Sequence, residues 1–223
     1  MEMNGGGSLK VKEDNAIFID LGSGLGGASE AFMNDPKWEV FRFDNSPHVQ
    51  DVPNTVMMDL TDPKAPQMIY DYVFQNCVMS NPFGRIIIWA SPPCEQWSQG
   101  YASQLNKAKR KGEVFIPDLR VLNGIMKTIH LFDPEYWYVE NVVGGQPFID
   151  PLLGPARLKH RPWIIWGDFP LFDIRLPHNY KSKNDKASSR DPLRYWKRSK
   201  IPLEISQALK SSLTGQKRLE DFE

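Results

Sequence analysis

The fold of this chain is decided by the segment AIFIDLGSGLGG, residues 16–27. Its apolar first half predicts a buried strand at 16–20, and the glycines that follow predict a tight turn into a helix at 29–33. Downstream, apolar segments of strand length alternate with helical patterns, which is typical of a parallel sheet covered on both faces. The further strands are predicted at 38–44, 55–59, 85–90 and 136–140.

The segments between and after these strands predict helices and a distinct C-terminal part. Prolines at the first helical position predict helices at 63–74 and 117–131. Residues 161–200 predict short antiparallel strands and loops, and a closing helix is predicted at 202–213. We therefore expect a flexible leader (1–15), a cofactor-binding and catalytic domain (16–170), a basic segment (171–200), and a C-terminal helix with a tail (201–223).

The composition is that of one globular domain. The chain has 223 residues, of which 41% are hydrophobic and 24% charged, and these values exclude disordered, collagen-like and coiled-coil classes. The longest apolar run, 86–90, is far shorter than the ~20 residues of a membrane helix, so we expect no membrane partner. The polar first residues do not resemble a secretory signal. Because Cys77 and Cys94 then belong to a reducing compartment, the sequence predicts a cytoplasmic protein without disulfides.

The charge is balanced overall but unevenly distributed. There are 27 Lys and Arg against 27 Asp and Glu, which by itself does not favour a nucleic-acid partner. Residues 157–200, however, contain 12 Lys and Arg against 4 Asp and Glu. If the protein binds a polyanion, the sequence predicts that the polyanion contacts residues 157–200. A second basic cluster follows residue 106 and reads either as a solvated loop or as a phosphate contact: Lys107, Lys109, Arg110 and Lys111.

Acids, glycines and a thiol follow the predicted strands. The carboxyl ends of parallel strands meet at one sheet edge, where ligands bind. The Gly-rich turn suits a dinucleotide, a nucleotide or an adenosyl cofactor equally well. Asp44 is placed to accept hydrogen bonds from ribose hydroxyls and Asp59 to face an adenine amino group, although each reads about equally well as a strand-end cap. The residues that converge are Asp20, Gly22, Gly24, Gly26, Gly27, Asp44, Asp59, Ser91, Pro92, Pro93, Cys94, Glu140 and Asn141.

The two cysteines differ in their sequence context. Cys94 follows two prolines beyond a buried strand and is flanked by polar residues, which predicts a presented thiol, whereas Cys77 lies in an apolar pattern and reads as core. Glu140 ends an aromatic strand, so we expect its carboxyl to be partly removed from water, with a raised pKa suited to proton donation. The alternative for Glu140 is a cap of the following turn.

Three motifs, FIDLGSGLGG, SPPCEQWS and ENV, occur in this order on successive strand ends. Together they resemble the DNA (cytosine-5) methyltransferases, a family that shares its pattern with a branch methylating cytosine in tRNA. The resemblance covers nearly the whole chain. It implies a Rossmann-like fold for S-adenosylmethionine-dependent methyl transfer, with a doubly wound, mostly parallel sheet and a small, irregular basic C-terminal segment.

The resemblance also implies a role for each matching residue. Cys94 would be the nucleophile, Glu140 would hold the target base, and Arg161 of ARLKHRPWIIWG would contact the base carbonyl oxygen. Asp44 would hold the ribose and Asp59 the adenine of S-adenosylmethionine. The cofactor-binding set would be Phe18, Asp20, Leu21, Gly24, Gly26, Gly27, Asp44, Asp59 and Pro93. The segment RSKIPLEISQAL resembles a shortened form of the family's last motif, which completes the cofactor pocket.

The implied substrate is DNA, either duplex with a flipped cytosine or single-stranded, because a stacked base cannot present carbon 6 to a thiol. The basic cluster after the cysteine takes the place of a family loop that closes over the flipped base. The residues expected to bind nucleic acid are Ser98, Lys107, Lys109, Arg110, Lys111, Lys159, Arg194, Lys197 and Arg198. The four histidines are scattered, so no metal is expected.

The size of the basic segment separates this chain from family members with defined recognition sites. Only about forty residues lie between the Arg161 strand and the final helix, where such members carry a substantial recognition domain. Compact members of this kind occur in phage, which would place the protein in a bacterial or phage-infected cell. Two alternatives remain: methylation of RNA by the same motifs, and a cofactor-binding regulatory module that has lost catalysis.

Overall fold

A computed structural model describes residues 15–78, 84–98, 103–176 and 191–214. Three parts of the expected organisation lie outside these ranges. They are the leader up to residue 14, the middle of the basic segment (177–190), and the tail (215–223).

Seven strands form one sheet in the order β3-β2-β1-β4-β5-β7-β6. The pairs β1–β2, β1–β4, β2–β3 and β4–β5 are parallel, whereas β7 runs antiparallel to β5 and β6. This arrangement confirms the predicted α/β class, a Rossmann-like, mostly parallel sheet. The strands are β1 (Ala16–Leu21), β2 (Trp38–Asp44), β3 (Thr55–Met57), β4 (Arg85–Ala90), β5 (Tyr136–Val142), β6 (Leu158–His160) and β7 (Trp163–Asp168).

Strand β1 shows why the sheet is covered on both faces. Its residues alternate between two cores: Ile17, Ile19 and Leu21 pack in one cluster, while Phe18 packs in the other. Successive side chains of a strand point to opposite faces, so an uninterrupted apolar strand needs a layer of helices on each side. The helices are α1 (Ala65–Asn76), α2 (Gln104–Lys111), α3 (Arg120–Phe132), α4 (Gln146–Leu153), α5 (Arg194–Ser199) and α6 (Leu203–Thr214).

The helix predicted at 29–33 is present only as a short 3-10 helix, Glu30–Phe32, and not as an α-helix. The turn formers Asn34 and Asp35 precede Pro36, and a residue before proline disfavours the α conformation. The short turn still buries Phe32, whose ring stacks on Phe18 at a centroid distance of 4.3 Å.

The basic cluster at 107–111 lies on helix α2 and not in a loop, which was one of the two interpretations of its sequence, and the helix is capped at both ends. The side chain of Ser103 accepts a hydrogen bond from the backbone N–H of Asn106 at the N-terminus, and Gly112 takes a positive φ at the C-terminus. Leu105 and Ala108, three positions apart, are its buried or partly buried apolar side chains.

Strand β7 is antiparallel as predicted, its partner β6 lies just before the predicted segment, and residues 194–199 form helix α5 and not a loop. The closing helix, predicted at 202–213, is confirmed as α6. Ser206 fastens α6 to the turn after β1: its hydroxyl donates to the carbonyl oxygen of Ala28 at 2.6 Å and accepts from the N–H of Ala31 at 3.0 Å. Within the ranges given above, no helix is long and apolar enough to cross a membrane.

Candidate active site

A cavity of about 1340 Å³ opens at the edge where the parallel strands end. Its walls come from the Gly-rich loop after β1, the ends of β2, β4 and β5, the turn between β6 and β7, and α5. Cys94, Glu140 and Arg161 come from three separate parts of the chain, and all three line this cavity.

The loop that carries Cys94 is held at several points. The side chain of Gln96 donates to the carbonyl oxygen of Asp118 at 2.9 Å and accepts from its N–H at 2.6 Å. The amide nitrogen of Asn141 on β5 donates to the carbonyl oxygen of Pro92 at 2.8 Å, and its oxygen accepts from the indole N–H of Trp97 at 2.6 Å. These contacts fix the cysteine relative to β5. Sequence patterns predicted no role for Gln96 or Trp97, and placed Asn141 at the sheet edge without a partner.

The Cys94 thiol lies in a setting that opposes ionisation. Burial, followed by the charge of Glu140, raises its pKa to about 11, while a hydrogen bond with Tyr195 acts in the opposite direction. The thiol is therefore protonated at neutral pH in the free protein, and thiolate formation must be favoured by nearby groups when a substrate binds.

Glu140 lies inside β5, paired with Ile165 of β7, and is only 8% exposed. Burial raises its pKa to about 7, and a hydrogen bond from Ser91 opposes the shift. Ser91 is oriented by the indole N–H of Trp89, which donates to its hydroxyl oxygen at 2.9 Å. Near neutral pH the Glu140 carboxyl therefore exists in both forms and can hold or release a proton.

Arg161 lies in the turn between β6 and β7, where it is exposed and borders the cavity. Its neighbour His160 also lines the cavity. Lys159, expected as the first basic residue of this strand motif, is exposed and does not line it. In a strand, alternate residues face opposite ways, so Lys159 and Arg161 would share a face only if the strand continued through both, and β6 ends at His160.

The Gly-rich loop takes the left-handed backbone conformation that favours glycine at three positions, Gly22, Gly24 and Gly26. Gly22 and Gly24 have φ of +69° and +52°, and a Cβ on Gly22 would come within 2.6 Å of the carbonyl oxygen of Ser91. Asp44 holds the loop, because its carboxylate accepts from the N–H of Gly24 at 2.9 Å and from that of Ser46 at 2.8 Å. The buried hydroxyl of Ser23, also in the cavity wall, has no hydrogen-bond partner within the described residues.

A polar network lies beneath this loop. The hydroxyl of Ser29 donates to the Asp20 carboxylate at 2.6 Å. The guanidinium of Arg42 donates to that hydroxyl at 2.8 Å, and to the carbonyl oxygens of Gly26 and Pro53 at 3.0 Å each. Burial raises the pKa of Asp20 to about 6, although Ser29 and Arg42 act in the opposite direction. Arg42 was missed in the sequence, where the only signal is an arginine between two phenylalanines of a buried strand.

Several expected cofactor residues do not reach the cavity. Phe18 and Leu21 are fully buried in the two cores. A Cβ on Gly26 would overlap the Arg42 guanidinium, and one on Gly27 the backbone of Ile201, so both glycines allow close packing. These four residues shape the loop and leave the wall to Asp20, Gly24, Asp44 and Pro93 of the expected set.

Asp59 also departs from its expected position. Its side chain is exposed outside the cavity, and its carboxylate accepts from the N–H and the hydroxyl of Thr61 at 2.9 and 2.8 Å. It therefore forms the strand-end cap that was the alternative interpretation. Its neighbours Met58 and Leu60 line the cavity and provide an apolar wall.

The basic residues divide into two groups. Ser98, Arg194 and Arg198 line the cavity. The four cations of α2 are exposed outside it, and so is Lys197, whose ammonium pairs with Asp191 at 2.6 Å. Tyr195 and Trp196 of α5 also line the cavity, so this helix forms part of the site. Among the described residues, no three His, Cys, Asp or Glu side chains are grouped so as to hold a metal ion.

No protein-family model and no curated protein matches the sequence. Among solved structures, the chain is similar to a candidate DNA modification methyltransferase encoded within a prophage of Escherichia coli. The TM-score is 0.39 and the identity 20%, over 61% of this chain and 34% of that one, so this chain spans about a third of the length of that protein.

Proposed function

We propose that this protein is a methyltransferase that modifies carbon 5 of cytosine in DNA through a covalent adduct with Cys94. The observation that carries the proposal is the meeting of Cys94, Glu140 and Arg161 with the Gly-rich loop around one cavity. Each of these residues belongs to a motif that resembles the cytosine-5 family, and the fold brings the motifs together.

The residues of the cavity fit the proposed cofactor. The hydroxyl of Ser23, which has no partner among the described residues, and the backbone of the turn at Gly22 and Gly24 offer polar contacts in the cavity wall. Asp44 keeps acceptor capacity for hydroxyl groups because a carboxylate has about four lone-pair positions. Met58 provides apolar surface for a flat ring. When bound there, S-adenosylmethionine supplies the methyl group that carbon 5 of the base receives.

The side chains on the other wall would act on the base. Carbon 5 of cytosine is a poor nucleophile, and addition of the Cys94 thiolate to carbon 6 makes it enamine-like. Glu140, with a pKa of about 7, can supply the proton that ring nitrogen 3 requires as this charge develops. Arg161 would hold the carbonyl oxygen. Once carbon 5 carries the methyl group, its proton would pass to a water molecule, and the electron pair of that C–H bond would expel the Cys94 sulfur as a thiolate. Ring nitrogen 3 would return its proton to Glu140, which restores the ring.

The DNA contacts follow from the exposed cations. The base must leave the stack to reach Cys94, and phosphate contacts would hold the strand meanwhile. Arg194 and Arg198 lie in the cavity wall itself, and the α2 cations lie outside it. We expect selectivity for the cytosine and one or two neighbours only, because the segment 171–200 is too short to hold many base-reading side chains rigidly.

An oligonucleotide containing 5-fluorocytosine tests the proposal, because fluorine blocks the release of the adduct. With S-adenosylmethionine present, we expect wild-type protein to form an adduct that survives a denaturing gel, and Cys94→Ala to form none. Cys77→Ala is the matched control, since its thiol contacts Glu39 at 3.2 Å and not the cavity, and should form the adduct as wild type does.

The other outcomes of this test identify the alternatives. An adduct on RNA but not on DNA would reverse the choice of substrate. Binding of S-adenosylmethionine without an adduct on any nucleic acid would indicate a regulatory module and refute the proposed activity.

A further inference from the structure

Trp196 brings an indole ring from helix α5 into the wall of the cavity, beside the Gly-rich loop. Its Cδ1 atom lies 4.0 Å from the point that a Cβ on Gly24 would occupy. The N–H of Gly24 donates to the carboxylate of Asp44, the proposed acceptor for ribose hydroxyls. The indole therefore lies next to the part of the wall where the adenosyl group of the proposed cofactor would bind.

The ring of His48 supports this indole. The two ring centroids are 4.5 Å apart and the ring planes are inclined by 39°. His48 belongs to a short 3-10 helix, Pro47–Val49, which is capped by the side chain of Ser46. Trp196 lines the cavity and His48 does not, so part of the indole packs on a supporting ring while another part borders the open space.

Helix α5 is anchored to the Gly-rich loop just after Trp196. The carbonyl oxygen of Trp196 accepts from the N–H of Lys200 at 2.9 Å, and the ammonium of Lys200 pairs with the carboxylate of Glu30 at 2.8 Å. The backbone of Ile201 packs directly on Gly27, in space that any Cβ on Gly27 would occupy. These contacts hold the end of α5, and with it the indole, against the segment that follows β1.

An adenosyl group needs two kinds of contact, and both occur together in this part of the wall. Its ribose hydroxyls need hydrogen-bond acceptors, and its flat adenine ring needs apolar or aromatic surface. Asp44 supplies the acceptors. Met58 lines the cavity next to it, because the N–H of Met58 donates to the carbonyl oxygen of Asp44 at 2.9 Å, and Trp196 adds an aromatic ring beside Gly24.

We propose that Trp196 is a cofactor-binding residue whose indole packs against the adenosyl group of S-adenosylmethionine. The inference deepens the proposed function and rests on that cofactor occupying the cavity. It assigns one residue of α5 to the cofactor, although the sequence predicts only DNA contacts for this helix, through Arg194, Lys197 and Arg198. The helix would then contact the cofactor through its aromatic ring and DNA through its cations.

Calorimetry with S-adenosylhomocysteine tests this inference without methyl transfer or nucleic acid, because this ligand keeps the adenosyl group and lacks the sulfonium charge. We expect Trp196→Ala to lower its affinity about 5-fold to 150-fold, the range typical when an aromatic side chain stacked on a base is replaced by alanine. Trp196→Phe keeps a flat ring and should recover most of this loss. His48→Ala should cost less affinity than Trp196→Ala, because His48 supports the indole from outside the cavity wall.

Lys197→Ala is the matched control on the same helix, because its side chain is exposed outside the cavity, and it should bind the ligand as wild type does. No side chain of α5 is buried, so each variant should keep the denaturation midpoint of wild type. Tryptophan fluorescence gives a second measurement. The change in emission on ligand binding should be smaller in Trp196→Phe than in wild type, because the indole next to the ligand is absent.

Two results would overturn this inference and leave the proposed function standing. Unchanged affinity in a folded Trp196→Ala would show that the indole does not touch the ligand. A loss of affinity for S-adenosylmethionine alone would place the indole at the sulfonium cation and not at the adenosyl group. A wild-type protein that binds neither ligand would refute the cofactor on which both proposals rest. The expected losses in a protein that forms no fluorocytosine adduct would refute the proposed function alone.

Discussion

Two buried carboxylates, Asp20 on β1 and Glu140 on β5, occupy opposite walls of the cavity in different surroundings. Asp20 is 1% exposed and lies under the Gly-rich loop, where Ser29 donates to it and Arg42 stands behind that hydroxyl. Glu140 is 8% exposed, and the one group that opposes its raised pKa is Ser91. Burial raises both pKa values, to about 6 and about 7.

The difference in surroundings assigns Asp20 to the support of the loop and Glu140 to the proposed chemistry. The Asp20 carboxylate has its charge partly balanced by a buried arginine that also holds two backbone carbonyl oxygens, so it serves the shape of the loop. Glu140 faces the same cavity as Cys94 with no cation among the causes of its shifted pKa. A buried carboxyl whose charge is not balanced by a cation is stabilised most by a partner group that the substrate brings.

The largest expected effect is a loss of stability when the arginine near Asp20 is removed. Replacing Arg42 with Met leaves the Asp20 charge buried without its cation, and removes the donors to Gly26 and Pro53. Loss of one partner from a buried charged pair costs about 3 to 5 kcal/mol in free energy of unfolding. Urea denaturation measures this loss, which should be smaller near pH 4, where Asp20 is protonated.

A matched substitution tests whether burial is the reason. Arg120 pairs directly with Asp118, at 2.6 Å, and both side chains are exposed. Arg120→Met should leave the denaturation midpoint close to that of wild type. Equal losses for the two variants would show that the Asp20 wall is not specially dependent on its cation.

In contrast, the substitution Glu140→Gln should increase the free energy of unfolding above neutral pH. A carboxyl whose pKa is raised by folding contributes most stability below its unfolded value of 4.5, and this contribution is lost as pH rises through about 7. Near pH 8 the neutral Gln should therefore raise the free energy of unfolding by roughly 1 to 3 kcal/mol, at about 1.4 kcal/mol per pKa unit, with little difference near pH 4.

Activity and stability should then change in opposite directions. We expect Glu140→Gln to lose methyl transfer, because the neutral amide cannot release a proton to the base. Glu113→Gln, at an exposed position on the surface, is the control and should match wild type in both measurements. A variant of Glu140 that is destabilised near pH 8 would contradict the view that this charge is uncompensated.

The fold could be predicted because the strands are marked in the sequence by apolar runs that tertiary contacts then bury. Strand β4 is the clearest case, since 85–90 was predicted and Arg85–Ala90 was found. The helix α2 could not be predicted in this way. Its two apolar contacts, Leu105 and Ala108, are too few to show a period, and its caps define it only once the chain is folded.

The residues of the site also divide into those whose position the sequence predicts and those whose position depends on packing. Cys94 follows β4 and Glu140 lies two residues before the end of β5, and the common sheet edge brings such residues together whatever the packing. Motif membership, however, did not separate Gly24, which lines the cavity, from Gly26, which packs on Arg42. Tyr195 was the hardest to place, because its contact with Cys94 depends on how α5 packs on the rest of the chain.

A substitution at Asp44 tests whether the cavity wall that contains Asp20 also binds a ligand. Asp44→Ala removes the acceptor of the Gly24 and Ser46 N–H groups and of the proposed ribose hydroxyls. Removal of a hydrogen bond of this kind costs about 1 to 3 kcal/mol, so affinity for S-adenosylmethionine should fall about 5-fold to 150-fold in calorimetry. Asp51→Ala, at an exposed position outside the cavity, should bind as wild type. Unchanged affinity in a folded Asp44→Ala would reduce Asp44 to a support of the loop, like Asp20.

The smallest expected effect is on DNA binding, from substitutions on α2, which lies outside both walls of the cavity. Its four exposed cations, Lys107, Lys109, Arg110 and Lys111, lie on the helix after the Cys94 loop but not in the cavity. If they bind phosphates, every phosphate that is no longer neutralised after substitution by Ala should make the slope of log affinity against log salt shallower by about 0.9, with little change in selectivity. Lys127→Ala, on the exposed surface of α3, should leave the slope of duplex binding unchanged. A slope that stays the same after all four α2 substitutions would assign DNA binding to the cations of the cavity wall, Arg194 and Arg198, and leave α2 as a solvated helix.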